Sequence, residues 1–389
     1  MGLGIPFYKI EWIDADGTTH NITHAISWNS KRALQAKSTM ADITLKHPSP
    51  DSNNPLFFTS SGELKIAVDD TIKIYLSDSP TTSSDMILSA SITEIKETKD
   101  ETGPVIVLNC VDKTVLLLSR AVVGQWTDTA PEIIKKIVKF ATQGANREFR
   151  IDPSDVASTK SDGSAFSSIS YSVLYKPAYE AILEVSQIGN TGDDRAYIFW
   201  VDENDVFHWK YPSQSGSTDL AEGQADIYKI DLSKNVHDVV NMIIFNCGKD
   251  KNGYAILDYV FDASTDSPEL RMRYEDFSEI ANKRMQEPGY TWDGLTWSTA
   301  TNSQVRDHAK KLGKDMANAI MSGTKNPRWK GTIQLAGTTD YTPGDLIKLT
   351  STSLGIKNQL LRVHDVIHNI GSDGWTTTLD IMEDEKAIS

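Results

Sequence analysis

Cysteine is scarce in this chain, long apolar runs are missing, and positive charge is in the minority. The two cysteines, Cys110 and Cys247, lie far apart, each inside an apolar strand-like run. That placement predicts buried thiols, and it offers no disulfide framework of the kind that staples small secreted folds. No window approaches the ~18 apolar residues of a membrane-spanning helix. The start, Met1-Gly2-Leu3-Gly4-Ile5-Pro6, has neither the charged leader nor the apolar core of a signal peptide. Pro6 stands where a myristoylation signal places Ser or Thr. The expectation is a soluble product, assembled where it is made. Lys and Arg number 39 against 53 Asp and Glu, a formal net charge of −14. Gripping nucleic acid needs clustered cations to neutralise phosphates, so this balance argues against a nucleic-acid clamp. An acidic wall repels the phosphate backbone, which still lets DNA slide past without being trapped.

Catalytic signatures are missing as well. There is no Gly-x-Ser-x-Gly elbow, no Walker loop and no G-x-G-x-x-G after a strand. His364-Asp365-Val366-Ile367-His368 is a near match to the zinc-protease motif, but that motif works on a helix, where residues four apart share a face. Here the flanks Leu360, Leu361, Val363 and Ile370 are aliphatic, and the run ends in a Gly-Ser-Asp-Gly turn. On such a strand the two imidazoles stand roughly 13 Å apart, too far for one ion. Asp14-Ala15-Asp16-Gly17 begins like a calcium loop, yet Ala25 occupies the twelfth position, where that loop needs a bidentate Glu. A hairpin turn is the reading there, and also for Asp202-Glu203-Asn204-Asp205, with weak binding of a hydrated cation as the lesser alternative for the second. Glu180 and Glu184 sit at helical spacing on a solvated face, and Trp200, Trp209, Trp292 and Trp297 read as packing residues before sugar platforms. The expectation is therefore no catalytic residue, no metal site, no cofactor and no enzymatic activity.

What the chain does have is β-strand pattern. At 389 residues it exceeds the usual span of one core, so several domains are expected. Residues 1–118 read as a first antiparallel barrel: Tyr8 to Ile13, Ala41 to Lys46, Thr71 to Leu76 and Leu88 to Ile95 alternate, and Val105 to Val111 is more buried. Residues 119–235 read as a mixed α+β domain. Pro131 opens a helix over Glu132 to Thr142, a Ser-rich loop covers Ser154 to Ser170, and Pro177 opens a second helix to Ile188. The aromatic hairpin Tyr197 to Val201 and Val206 to Trp209 completes that domain. Residues 236–250 and 325–389 read as a second barrel. Residues 251–324 form an insertion with a helix-capable segment capped by Ser267-Pro268-Glu269 and a long helix over Ser303 to Met321. The fold class is α+β, dominated by β.

The two barrels share an order of features. Ile43-Thr44-Leu45, then Asp70-Thr71-Ile72-Lys73-Ile74, then Leu88 to Ile95, then Val105 to Leu108 runs parallel to a second series. That series is Ile333-Gln334-Leu335, Asp345-Leu346-Ile347-Lys348-Leu349, Leu360 to Ile370 and Thr376 to Leu379. Three copies of a chain with two similar barrels make a ring of six barrels, whose edge strands are the natural joints.

Thr342-Pro343-Gly344-Asp345-Leu346-Ile347-Lys348-Leu349, then Leu361 to Ile370, then Thr376 to Leu379 resembles the ending of phage baseplate hub proteins. That family includes the hub of T-even phages, late-control tail proteins of Mu-like phages and the hub part of type VI secretion spikes. Helix Pro177 to Ile188, Gly189 and the strand Tyr197 to Trp200 resemble its "helix, glycine, aromatic strand" unit. The resemblance implies a structural, non-enzymatic subunit of a virion tail, made in the host cytoplasm. It further implies a homotrimer whose pseudo-six-fold ring joins a six-fold tail tube to a three-fold spike or tip. The implied partners are a second and third copy of itself, the tail tube protein, the spike or tip protein, other baseplate proteins, and DNA only in transit. No appended lysozyme or needle is expected after the last barrel. The alternative class is a β-rich cell-wall hydrolase or a carbohydrate-binding tail component.

Overall fold

A computed structural model describes residues 7–22, 25–34, 40–46, 65–77, 85–100, 103–143, 150–189, 197–212, 216–223, 227–234, 239–263, 269–286, 289–322, 328–372 and 374–383. Ser267 and Pro268 of the expected cap, and residues 384–389, lie outside these residues.

The first strands are β1 (Phe7–Ile13), β2 (Thr19–Ile22), β3 (Ala25–Ala33), β4 (Met40–Lys46), β5 (Thr71–Ser77), β6 (Asp85–Asp100) and β7 (Gly103–Val111). Next come α1 (Val115–Ser119), β8 (Ala121–Thr129), α2 (Ala130–Thr142), β9 (Asp152–Val156), β10 (Ser168–Pro177), α3 (Ala178–Gly189), β11 (Ile198–Val201) and β12 (Val206–Lys210). The middle holds β13 (Thr218–Ala221), β14 (Ile227–Lys234), β15 (Met242–Lys249), β16 (Ala255–Phe261), β17 (Met272–Asp276), a π-helical turn at Glu279–Lys283 running into α4 (Arg284–Gln286), and α5 (Asn302–Ser322). The chain ends with β18 (Trp329–Ala336), β19 (Leu346–Ser351), β20 (Ile356–Gly371) and β21 (Gly374–Glu383).

One large sheet runs through both ends of the chain in the order β14-β18-β21-β20-β3-β4-β7-β6-β5-β1-β2, with β13 and β19 attached beside β20. It rolls around two separate cores. Ile10, Trp12, Trp28, Ile43, Leu45, Ile72, Ile74, Ile106 and Leu108 are buried in the first. Leu220, Ile333, Leu335, Ile347, Leu349, Leu361, Val363, Leu379 and Ile381 fill the second. In each roll the alternate residues of a strand point inward, the period-two pattern that makes a one-faced strand. Burial of such a side chain contributes about 1.5–3 kcal/mol each, so these alternations are the main driving force for the rolls.

The internal repeat is realised in three dimensions. The first series gives neighbours β4-β7-β6-β5, and the second gives β18-β21-β20-β19. β6 and β20 are both 16 residues long. Each shifts register at the matching place, between Ile92 and Glu94 in β6 and between Val363 and Asp365 in β20. The turn before β5 and the turn before β19 are also the same. Asp70 Oδ2 accepts the Ala67 N–H at 2.9 Å, and Asp345 Oδ2 accepts the Thr342 N–H at 2.6 Å. Asp69 and Gly344, just before these aspartates, both have positive φ, 74° and 97°. Their N–H groups donate to Ile92 and Val363. β3 and β14 extend the match, each bulged once against its neighbour, at Ala25/Ser27 and at Ile227/Lys229.

The remaining two cores belong to smaller units. β8 and β10 form a hairpin-like pair and β11-β12-β9 a small sheet, packed with α2 and α3 around Ile133, Ile137, Ile182, Phe199, Phe207 and Trp209. β16-β15-β17 forms a three-stranded sheet against α5, with Ile243, Phe245, Cys247, Val305 and Ala309 inside. Helix α5 can lie close because Gly313 faces Phe245 and Cys247; a Cβ there would meet both at 2.5 Å.

Three expectations change. Residues 236–250 do not join the second roll, because β15 pairs with β16 and β17. The strands that do join it, β13 and β14, come from the end of the span 119–235, pairing with β19 and β18. The segment after Glu269, expected to be helix-capable, carries strand β17: Met272-Arg273-Tyr274 alternates and is stabilised by pairing with β15. The Ser-rich stretch from Ser154 to Ser170 is not one loop, since β9 runs to Val156 and β10 starts at Ser168. In each case long-range pairing, which local sequence does not carry, decided the outcome.

Candidate assembly surfaces

The two rolls are joined edge to edge. β20 pairs with β19 through its first half, and with β3 through its second half, where Asp365 lies opposite Ala33 and Ile370 opposite Trp28. Ile370 and Trp375 pack into the first roll's core, so the joint is apolar on its inner face. Lys31 Nζ reaches the buried Asp365 carboxylate at 2.7 Å across this joint. His368 is fully buried between the rolls, with Nδ1 at 3.2 Å from Thr377 Oγ1. Burial, helped by the nearby Arg32 cation, pushes its pKa down to about 3, so it stays neutral. His364 and His368 therefore lie on a strand, His364 at the bulge and His368 in the interior. A helical pair of metal ligands is not formed. Among the described residues there is no group of three His, Cys, Asp or Glu placed to hold a metal ion.

The other sequence candidates serve as turns and packing. Asp14 Oδ1 accepts the N–H groups of Asp16 and Thr18, at 3.0 and 2.9 Å, closing the β1–β2 hairpin with Gly17 at φ 80°. Asp202 Oδ1 accepts the N–H groups of Asn204 and Val206 at 2.9 and 2.8 Å, closing the β11–β12 turn. That second turn also docks its domain on the first roll. Glu203 pairs with Arg32 at 2.6 Å, and Asp205 pairs with Lys113. Asp202 binds His208 Nε2 at 3.0 Å; burial raises its pKa, but the His208 hydrogen bond and backbone donors outweigh that and lower it. Asp205 is shifted upward by loss of solvent despite Lys113.

Glu184 accepts a hydrogen bond from Tyr171 Oη at 2.8 Å and pairs with Lys176. The tryptophans make no exposed row. Trp209 is buried, donates to Ser186 Oγ at 2.8 Å and stacks on Tyr197. Trp200 stacks on His208, Trp292 on His308, and Trp297 packs against the α5 core. Cys110 and Cys247 are free and buried, and loss of solvent pushes both thiols up to about 12.

Among the described residues, the exposed features include sheet edges and an apolar face. β14 ends the large sheet, and β6 has β5 beside it only as far as Ser91. On β16 and β17, Leu257, Tyr259, Phe261, Met272 and Tyr274 are all more than half exposed on the side away from α5. A contiguous apolar face of this kind marks a protein contact more often than a solvated surface. Sequence reasoning missed β3, which joins the two rolls, and β14, which ends the sheet. The signal was present in Ile227, Ile230 and Leu232, but it lay in a span assigned to another domain.

Neither a family model nor a curated relative matches this chain. Solved structures do. A tail protein from Neisseria meningitidis MC58 aligns over 97% of both chains at 12% identity, with a TM-score of 0.61. The 43 kDa tail protein of prophage MuSo2 from Shewanella oneidensis aligns over 97% of this chain and 99% of its own, at 12% identity and a TM-score of 0.63. This chain has the fold of phage tail proteins. Prophage tail protein gp18 from Listeria monocytogenes EGD-e is similar over 98% of this chain and 96% of its own, at 10% identity and a TM-score of 0.53. The phage-tail fold thus spans the whole chain, with both rolls and the units between them included.

Proposed function

We propose that this chain is a structural subunit of a phage or phage-like tail, the hub at the baseplate or tail tip, and that it acts as a trimer without catalysis. The observation that carries the reading is the duplicated roll, fused to its twin through β20 and β3 into one continuous sheet. A repeated unit joined edge to edge has a geometric use in a ring, where two units per chain turn three chains into six near-equivalent positions. Six positions match a six-fold tail tube on one side, while the single-copy units, each present three times, match a three-fold spike or tip on the other.

The fold shared with phage tail proteins supports the tail location. The net charge of −14 suits a passage that DNA must cross without sticking. The apolar face of β16 and β17 suits a protein neighbour in the assembled tail. The test is genetic. Deleting the gene from the producing element should abolish complete tails, and an epitope-tagged copy supplied in trans should restore them and sediment with them at one end of the tube. Complete tails lacking the tagged protein would overturn the reading.

A further inference from the structure

The joint between the two rolls exists once inside the chain, and both halves of a second, equivalent joint are left open. Inside the chain, the second half of β20 pairs antiparallel with β3. By the repeat, the counterpart of β20 is β6 and the counterpart of β3 is β14. Past Ser91, β6 keeps β7 on one side and, among the described residues, no strand on the other. β14 has β18 on one side and ends the sheet on the other.

We infer that a second copy of this chain closes the joint: the far half of β6 in one copy pairs antiparallel with β14 in the next. The inference rests on the trimeric hub reading and deepens it by naming the contact and its register. The register follows from the intrachain joint, bulge matched to bulge. Asn369 opposite Asn29 becomes Thr98 opposite Asp231, and Ile367 opposite Lys31 becomes Lys96 opposite Ser233. Likewise Ile370 opposite Trp28 becomes Lys99 opposite Ile230, and Val366 opposite Arg32 becomes Ile95 opposite Lys234.

Side-chain direction supports this register. Ile95 packs toward the first core, and Ile230 and Leu232 toward the second. In the stated alignment all three point to one face, as Val366 and Ile370 do within the chain, with Glu97 and Lys99 set between and beyond them at the rim of that face. A slip of one residue would turn Ile95 to the opposite face from Ile230 and Leu232. On the outer face Lys96 comes within diagonal reach of Asp231, an opposite-charge pair of the kind that favours cross-strand contact. The joint between copies is more polar than the one inside, with Lys99 where the chain has Ile370. A chain that stays soluble before assembly needs such an edge, because lysines on an open strand discourage unprogrammed pairing.

The test is disulfide trapping in the full-length chain. Thr98→Cys with Asp231→Cys places one cysteine on each edge, with Cβ atoms directly opposite; Lys96→Cys with Ser233→Cys is a second, independent pair. Thr98→Cys with Lys234→Cys is the register control, because its two side chains face opposite sides of the sheet. Light scattering gives the mass of each reduced sample. The expected result is reducible covalent dimers and trimers from both designed pairs, on the order of tenfold more than from the control, whose side chains cannot meet disulfide geometry. A trimeric mass without interchain disulfides in either designed pair overturns this contact and leaves the hub reading standing. Equal trapping by the control overturns the register. A monomeric mass at every concentration with no trapping overturns both.

Discussion

Acid should loosen the joint between the two rolls before it unfolds the rest of the chain. His368 is buried there, its pKa lowered to about 3. The unfolded chain binds a proton on this imidazole near pH 6.5, whereas the folded chain refuses it until about pH 3. The stabilisation from keeping His368 neutral is therefore complete above about pH 6.5 and is lost progressively as pH falls toward 3. At about 1.4 kcal/mol per pH unit, acidification from pH 7.5 to 5 removes about 2 kcal/mol from this site. The assay is hydrogen exchange by mass spectrometry on peptides covering β20 and β3, corrected for the intrinsic pH dependence of amide exchange. His368→Gln keeps a polar group near Thr377 but does not titrate. The wild type should lose roughly thirtyfold protection at β20 between the two pH values beyond what the variant loses, the factor that ~2 kcal/mol implies. Equal losses in wild type and variant would refute the reasoning, because the acid effect would then come from groups other than His368.

Other outcomes follow from single contacts. Gly331→Ala should destabilise the second roll by about 2 kcal/mol or more, because its Cβ would meet the Asp231 carbonyl oxygen at 1.9 Å and push β14 off β18; urea titration reads this. Gly313→Ala sets two effects against each other: helix propensity gains about 1 kcal/mol, while the clash with Phe245 and Cys247 costs about 1–3 kcal/mol, so a net loss in thermal stability is expected. Asp70→Ala should cost more than Asp345→Ala, although both break the same turn. Asp70 also accepts the buried Trp12 indole N–H at 2.7 Å, and orphaning that donor adds about 1–3 kcal/mol. Arg32→Ala should loosen the β11–β12 turn on the first roll, where the Lys113–Asp205 pair still holds it, detected as faster exchange at Val201 to Val206 with the second roll unchanged.

Much of the fold was legible because alternation is local. Thr71 to Leu76 and Trp375 to Met382 announce half-buried strands by their own sequence, and Ile133, Ile134, Ile137, Val138 and Ala141 announce a helix face. The repeat was visible for the same reason, since Asp70 and Asp345 precede strands of the same pattern. What sequence concealed was partnership. β14 and β15 look alike as short aliphatic runs, and only pairing with β18 or β16 decides which core each enters. β3 was hidden because Asn29, Ser30, Lys31 and Arg32 are polar, yet Ser30 is fully buried in the joint with β20. The assembly edges were legible only in part: their existence follows from the repeat, but the open flank of β6 beyond Ser91 needs the observed pairing to be located.

The most direct test of the ring is imaging of the purified full-length chain by negative-stain class averaging at concentrations that favour association. The account predicts rings of three chains with six similar lobes around a central hole, the six lobes being the two rolls of each copy. Class averages showing three chains packed without a central hole, or two unlike lobes per chain at unequal radii, would contradict it.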